Sequence, residues 1–241
     1  MEKTVEFCRF CGFSGTTVLT VRDRSYARCA ECGGITLDRE FLPDHEAEKA
    51  RYDLHRNSLA DTGYRAWLEG FVDDTFRRIA AHRSLGAHGV TEAGKIRTVL
   101  DYGSGPEPAL VALLRERGFD ARGWDPYYAP DMSAGPSPDH GTADLVTCLE
   151  VVEHFYEPAK SFADLAAAVR PAGWLAVGTH ILPDTPFERW WYREDTTHVA
   201  FWTERAFELL AAEHGLVWLG RTGAHRFLFK KPGSLPERFE Q

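Results

Sequence analysis

Hydrophobic and polar positions along the chain fall into three regimes. From about residue 95 onward, short β-branched and apolar runs alternate with stretches whose apolar residues recur at helical spacing. This pattern predicts strands at 97–102, 121–125, 144–149, 174–179, 216–221 and 225–230, with helices at 107–117, 158–169 and 203–214. Thr203 suits the N-cap of the last helix and Gly215 the position just past its end. The final two strands lie close enough for an antiparallel hairpin, so an α/β fold with a mixed sheet and helices on both faces is expected. Upstream, from about Pro43 to His88, the chain is charged and helical, with Trp67, Phe71, Phe76 and Ile79 at helix spacing. Before that, Thr16 to Val21 and Ser25 to Arg28 read as short strands. The expected units are 1–42, 43–94 and 95–241.

The strand–loop junctions carry the first chemical information. Val99-Leu100-Asp101-Tyr102-Gly103-Ser104-Gly105-Pro106 ends an apolar run in a carboxylate and two close glycines. The next strand ends in a second carboxylate, Asp125, 24 residues beyond Asp101. Sheets of this class build nucleoside-binding crevices in that order, at the carboxyl ends of their strands. No lysine follows Gly105 as a Walker phosphate loop requires, and position 108 is Pro where a dinucleotide loop prefers glycine. Glu107 would repel a pyrophosphate. A nucleoside ligand without phosphates fits better, with Asp125 on the ribose hydroxyls.

At the N-terminus, Cys8-Arg9-Phe10-Cys11 and Cys29-Ala30-Glu31-Cys32 are separated by 17 residues. Two such pairs at this spacing are a zinc signature, and a closed site of four thiolates is structural. The alternative, two disulfides or redox pairs, suits a cytosolic chain less well. The fifth cysteine, Cys148, reads as a buried strand residue.

The chain has 241 residues, 44% of them hydrophobic, enough for one full α/β domain and a small appendage. No apolar stretch reaches membrane-span length, and no basic region precedes an apolar run at the start, so a cytoplasmic location is expected. A net charge of -8 argues against a duplex nucleic acid partner and leans toward a small molecule or a protein. Oligomeric state leaves no mark.

Over roughly 95–230 the chain resembles the class I S-adenosylmethionine-dependent methyltransferases. The likeness rests on Val99 to Gly105, Gly123-Trp124-Asp125-Pro126, Asp144 to His154, Arg170-Pro171-Ala172-Gly173-Trp174 and the terminal hairpin. It implies a Rossmann-like methyltransferase sheet with a C-terminal antiparallel hairpin, to which the four-cysteine segment adds a small N-terminal zinc ribbon. It also implies that Asp101, Tyr102, Gly103, Ser104, Gly105, Asp125, Pro126, Leu149 and Glu150 surround the cofactor. The Pro- and Gly-rich stretch 126–142 departs from the family, which usually has a third strand there with an adenine contact.

Two clusters are candidates for acceptor chemistry. Glu150, Glu153 and His154 would share one face of a helical turn. With His180 they could hold a divalent ion, as in the similar E-x-x-E-H block of small-RNA 2′-O-methyltransferases and ubiquinone-pathway O-methyltransferases. Pocket lining without metal is the other reading. The second cluster runs from Trp190 to Trp202, where the resemblance places an acceptor site. His198, oriented by Asp195, is the expected general base, with Trp191 and Tyr192 beside the acceptor. Tyr52, His55, Asn57 and Tyr64 either face the pocket from a helical lid or belong to a plain linker. The expected activity is methyl transfer to a small-molecule acceptor. An RNA-modifying enzyme that grips its substrate with the ribbon, and a noncatalytic zinc-ribbon regulator, are the alternatives.

Overall fold

The computed structural model describes residues 7–54, 57–85, 95–128, 139–223 and 225–233. Its centre is a six-stranded sheet of β4 (Thr98–Tyr102), β5 (Asp120–Trp124), β6 (Ala143–Leu149), β7 (Val169–Gly178), β9 (Val217–Thr222) and β10 (Arg226–Lys230). The spatial order is β5-β4-β6-β7-β10-β9. The first four strands are parallel, while β10 runs antiparallel to both β7 and β9. From β4 the chain first steps to β5 on one side and then crosses to β6 on the other. The switch opens a crevice above the carboxyl end of β4.

Local sequence explains these strands. β6 reads Ala-Asp-Leu-Val-Thr-Cys-Leu and is buried along nearly its whole length, as a central parallel strand covered on both faces must be. Cys148 lies fully buried within it. Asp144 pins the other end of the sheet. Its carboxylate accepts the backbone N–H groups of Arg97 at 2.7 Å and Thr98 at 2.8 Å, and pairs with Arg170. β7 begins five residues before the expected 174. Pro171 and Gly173 obscure its start, and the segment bulges between Val169 and Trp174 with Ala172 at φ 59°. Residues 129–138 of the expected departure lie outside the described residues.

The helices are α1 (His45–Tyr52), α2 (Thr62–Leu85), α3 (Ala109–Glu116), α4 (Pro158–Ala168) and α5 (Glu204–Glu213). α2 buries Leu68, Phe71, Val72 and Ile79 in one cluster with Val99, Leu110 and Trp174. α5 is capped as expected: Thr203 accepts the N–H of Ala206, and Gly215 takes φ 67° beyond the end. Among the described residues, no helix is long and apolar enough to cross a membrane.

The N-terminal strands do not stand apart. β1 (Thr16–Val21), β2 (Arg24–Cys29) and β3 (Ile35–Leu37) form an antiparallel sheet whose fourth strand, β8 (Ala200–Phe201), comes from the loop before α5. Cys8, Phe10, Cys29 and Cys32 share a hydrophobic cluster with Trp202, Phe207 and the underside of the main sheet. Thr203, the α5 cap, also donates its hydroxyl to the Cys32 carbonyl at 2.5 Å.

Because Phe10 is fully buried edge-on to Trp202 at 4.8 Å, Phe10→Ala should cost roughly 3–5 kcal/mol. Urea unfolding followed by near-UV and far-UV circular dichroism should show one shifted transition. Two separated transitions would mean that the N-terminal sheet folds independently.

Candidate functional site

The crevice opens into a cavity of about 650 Å³, a volume typical of small-molecule sites. Its floor is the loop after β4. Gly103 and Gly105 take φ 80° and 68°, which only glycine adopts without strain. A Cβ on Gly103 would come within 2.5 Å of Val151, whereas the space over Gly105 is open. A ligand can therefore approach the backbone at Gly105. Asp101, Tyr102, Ser104, Pro126, Leu149 and Glu150 also line the cavity.

Two carboxylates frame this loop differently. Asp125 accepts the backbone N–H of Gly105 at 2.9 Å, and those of Tyr127 at 2.8 Å and Tyr128 at 3.2 Å. It ties the glycine loop to the turn after β5. Asp101 is buried and receives the Thr147 hydroxyl at 2.8 Å. Burial, and secondarily the charge of Asp125, push its carboxyl up to about 7. A cationic ligand group beside it would relieve that cost. Trp124, also in the wall, keeps its buried indole N–H without a hydrogen-bond partner among the described residues.

The opposite wall is the turn after β6. Glu150 sits at φ 52°, so it belongs to a left-handed corner and does not start the turn; the 3-10 turn spans Val152–His154. The expected alignment of Glu150 with Glu153 and His154 on one helical face is corrected accordingly. Glu153 is fully buried and accepts hydroxyls from Tyr192 at 2.5 Å and Thr179 at 2.8 Å. Its carboxylate, one nitrogen of His154 and one of His198 lie within 4.8 Å of one another. His154 Nδ1 donates to the Thr197 carbonyl at 2.9 Å and His198 Nδ1 to the Tyr192 carbonyl at 2.6 Å. That tautomer leaves the lone pair of each ring on Nε2. Burial lowers the pKa of His198, favouring its neutral form. Burial first, and then the Glu153 charge, push Glu150 up to about 8.

Other expected members fall elsewhere. His180 stacks on His225 at 5.2 Å and packs against Trp191 and Tyr192. Among the described residues neither His180 nor Glu150 joins the group that could hold a metal, which is Glu153, His154 and His198. Trp191 is 64% exposed and lies outside the cavity lining. Asp195 does not orient the His198 ring, which the Tyr192 carbonyl holds. Its carboxylate instead accepts Thr197 N–H and Oγ1 and pairs with Arg51 at 2.6 Å. Burial opposes its charge, yet these hydrogen bonds hold it well below the usual carboxylate range.

From the N-terminal side, Tyr52, Asn57 and Tyr64 line the cavity, whereas His55 lies outside the described residues. Sequence reasoning missed Glu48, one turn before Tyr52 on α1. Its buried carboxylate accepts the hydroxyls of Tyr52 at 2.6 Å, Tyr156 at 3.1 Å and Tyr127. The i, i+4 pair with Tyr52 was a legible signal; the other two phenols were not.

The four N-terminal cysteines form a separate group, all free thiols with sulfurs within 4.8 Å of one another. Sγ pairs at 3.6 Å (Cys8–Cys32) and 3.7 Å (Cys11–Cys29) match the edge of about 3.8 Å expected for a tetrahedron with metal–sulfur bonds of about 2.3 Å. They are far from the disulfide length of about 2 Å. Backbone N–H groups of Phe10 and Cys32 point at the sulfurs of Cys8 and Cys29. The hydrogen bond from Cys32 draws the Cys8 thiol down to about 5, while burial pushes Cys11 up to about 11. The thiols cannot all ionise without a cation among them, so the group is fit to hold a metal.

A family model described as a methyltransferase domain matches residues 64–219. The ubiquinone biosynthesis O-methyltransferase of Vibrio campbellii is 26% identical over 145 residues, covering 59% of this chain and 55% of that protein. The chain thus spans about half the length of that relative. Among solved structures, the chain is similar to the 1,6-didemethyltoxoflavin-N1-methyltransferase of Burkholderia thailandensis, at 16% identity, 90% and 99% coverage of this chain and that one, and TM-score 0.49. An O-methyltransferase family protein from the same organism shares 17% identity over 82% of this chain and 66% of its own, with TM-score 0.49.

The raised pKa of Asp101 has a thermodynamic sign. Folded protein holds a proton near pH 7 that the unfolded chain releases near pH 4, so this contribution to stability is lost as pH rises between them. Asp101→Asn removes the loss. Its stability relative to wild type should grow from about pH 4 to about pH 8, by up to about 4 kcal/mol. Urea unfolding at the two pH values tests this; an unchanging difference would show that Asp101 ionises normally.

Proposed function

This chain belongs to the methyltransferase-domain family, and on that premise we propose that it transfers a methyl group from S-adenosylmethionine to a small-molecule acceptor. The observation that carries the reading is the pair of imidazoles, His154 and His198, with tautomers set by backbone carbonyls in the wall facing the glycine loop. Bound S-adenosylmethionine supplies an activated methyl on a sulfonium. The backbone at Gly103, Ser104 and Gly105 receives its methionine part, with Asp101 facing the ammonium. Asp125 meets the ribose, competing for an oxygen that now holds the Gly105 amide. Tyr102, Pro126, Leu149 and Glu150 complete this half of the cavity.

The acceptor half lies between the imidazoles and the lid residues Tyr52, Asn57 and Tyr64. The name of the Vibrio relative points to oxygen as the methylated atom. A hydroxyl acceptor must lose its proton as the new bond to carbon forms. His198 Nε2 takes that proton, with His154 beside it at 4.9 Å between ring centroids. The dry aromatic wall excludes water. Glu153, His154 and His198 also have the donor set of a divalent-metal site, with Nδ1–H contacts of the kind that support metal ligands; a metal there would occupy the His198 Nε2 lone pair and so replace His198 as the base. A second metal there would bind and polarise the acceptor oxygen. The four cysteines form a zinc ribbon whose closed site is structural.

Calorimetric titration with S-adenosylmethionine should show saturable binding; no binding would sink the proposal. His198→Ala should lower methyl transfer by roughly 10²–10⁴-fold while leaving cofactor affinity unchanged. Unaltered turnover would remove His198 from the base role. Turnover lost in EDTA and restored by a divalent cation would assign the Glu153 group to metal.

A further inference from the structure

The cavity wall is electrostatically one-sided. Glu48, Asp101, Glu107, Asp125, Glu150 and Glu153 line it, and among the described lining residues there is no Lys or Arg. An acceptor bearing a carboxylate or phosphate would meet like charge with nothing to offset it. Five of these groups have other tasks or other partners. Asp101 and Asp125 frame the cofactor loop, and Glu107 is exposed at its rim. Glu150 holds its proton near neutrality, and Glu153 is engaged by Tyr192 and Thr179.

Glu48 remains. It is 6% exposed and accepts the hydroxyls of Tyr52 and Tyr127, while Tyr156 shares its single O–H between Glu48 at 3.1 Å and the Pro43 carbonyl at 2.8 Å. No basic side chain pairs with it among the described residues. Its basic neighbours on α1 turn elsewhere, Lys49 to Asp53 and Arg51 to Asp195. A buried carboxylate without a countercharge is costly, and this one faces the ligand cavity. Two phenols and the shared hydroxyl of Tyr156 occupy at most three of the roughly four acceptor positions a carboxylate offers, leaving room for a ligand donor. Their rings add π faces that favour a cation. Tyr52 spans the distance to the chemistry, its ring 5.2 Å from that of His154.

We propose that the methyl acceptor carries a protonated amine, seated at Glu48 within Tyr52, Tyr127 and Tyr156, with its reacting group toward His154 and His198. This rests on the methyl-transfer reading above and names the substrate class of the same site. An aromatic amine matches the wall best, since Tyr52, Tyr64 and Trp67 also line the cavity.

The test uses full-length protein saturated with S-adenosylhomocysteine and titrated calorimetrically with three probes of one scaffold: tyramine, N-acetyltyramine and 3-(4-hydroxyphenyl)propionate. Tyramine should bind at least about tenfold more tightly than its neutral analogue, the worth of one charge-assisted contact, and the carboxylate should bind most weakly. Glu48→Gln should erase the tyramine advantage while S-adenosylhomocysteine still binds saturably. Tyr156→Phe, which removes a hydroxyl but keeps the charge, should retain it. Equal or reversed probe order, no tyramine binding at millimolar concentration, or a preference that survives Glu48→Gln would each overturn the inference and leave Glu48 as a latch for α1. Failure of S-adenosylhomocysteine to bind at the outset would instead bring down the methyl-transfer reading, and this inference with it.

Discussion

Trp202 is the joint on which the site depends. It is fully buried, and its indole N–H donates at 2.9 Å to the carbonyl of Val152, in the turn that carries Glu153 and His154. One ring face lies flat on Phe207 of α5 at 4.4 Å, and Phe10, from within the first cysteine pair, meets it in a T-shaped contact at 4.8 Å. Its carbonyl receives the Leu182 N–H at 2.9 Å. Three residues earlier, Val199 donates its N–H to the Glu153 carbonyl, and Ala200 pairs with Thr36 of the N-terminal sheet. Each aromatic contact is worth only about 1 kcal/mol beyond its buried area. Their geometric effect is larger, because the cysteine knuckle, the His154 turn and the His198 loop share one rigid reference. The four-cysteine group is therefore packed against the strand that leads from His198.

A second constraint is the crowd of buried carboxylates. Asp101 and Glu150 are tolerated because burial raises them to about 7 and about 8, so they carry protons near neutrality. Glu153 is tolerated because hydroxyls of Tyr192 and Thr179 converge on it. A cationic ligand group beside Asp101 or Glu150 would favour their charged forms and relieve the cost of burying them. The left-handed backbone at Glu150 fits this picture. A non-glycine residue at φ 52° is sparsely populated, and here it turns the chain from β6 directly into the wall of the site.

Much of this architecture was legible in the sequence wherever one segment carried the whole signal. The β6 run is apolar throughout because both faces are covered. Thr203 and Gly215 cap α5 by local hydrogen bonding and backbone freedom alone. The Gly103–Gly105 loop and Asp125 follow strand ends, where the fold builds its crevice. What escaped depends on residues far apart in sequence. β3 and β8 are three and two residues long, too short for a period to register, and they exist because they pair with each other. Asp195 suggested a partner for His198 from three residues away, yet its partner is Arg51, 144 positions distant. The carbonyl of Tyr192 sets the His198 tautomer, and a backbone group leaves no trace in side-chain patterns. Glu48 was invisible for the same reason, since two of its phenols come from positions 127 and 156.

Those long-range contacts make α1 part of the site. Tyr127 and Tyr128 give their backbone N–H groups to Asp125 and their hydroxyls to Glu48 and Asp53 on α1. Near the same end, α1 is joined through Arg51 to Asp195 in the loop before β8. The Tyr156 hydroxyl also reaches the Pro43 carbonyl just ahead of the helix, at 2.8 Å. The helix thus bridges the carboxylate assigned to the ribose and the loop that holds His198. A ligand at Asp125 competes with the amides of the two residues whose side chains hold the helix. A ligand that took those oxygens would therefore bear on the placement of α1 through Tyr127 and Tyr128 alone, because the same two residues hold both the carboxylate and the helix.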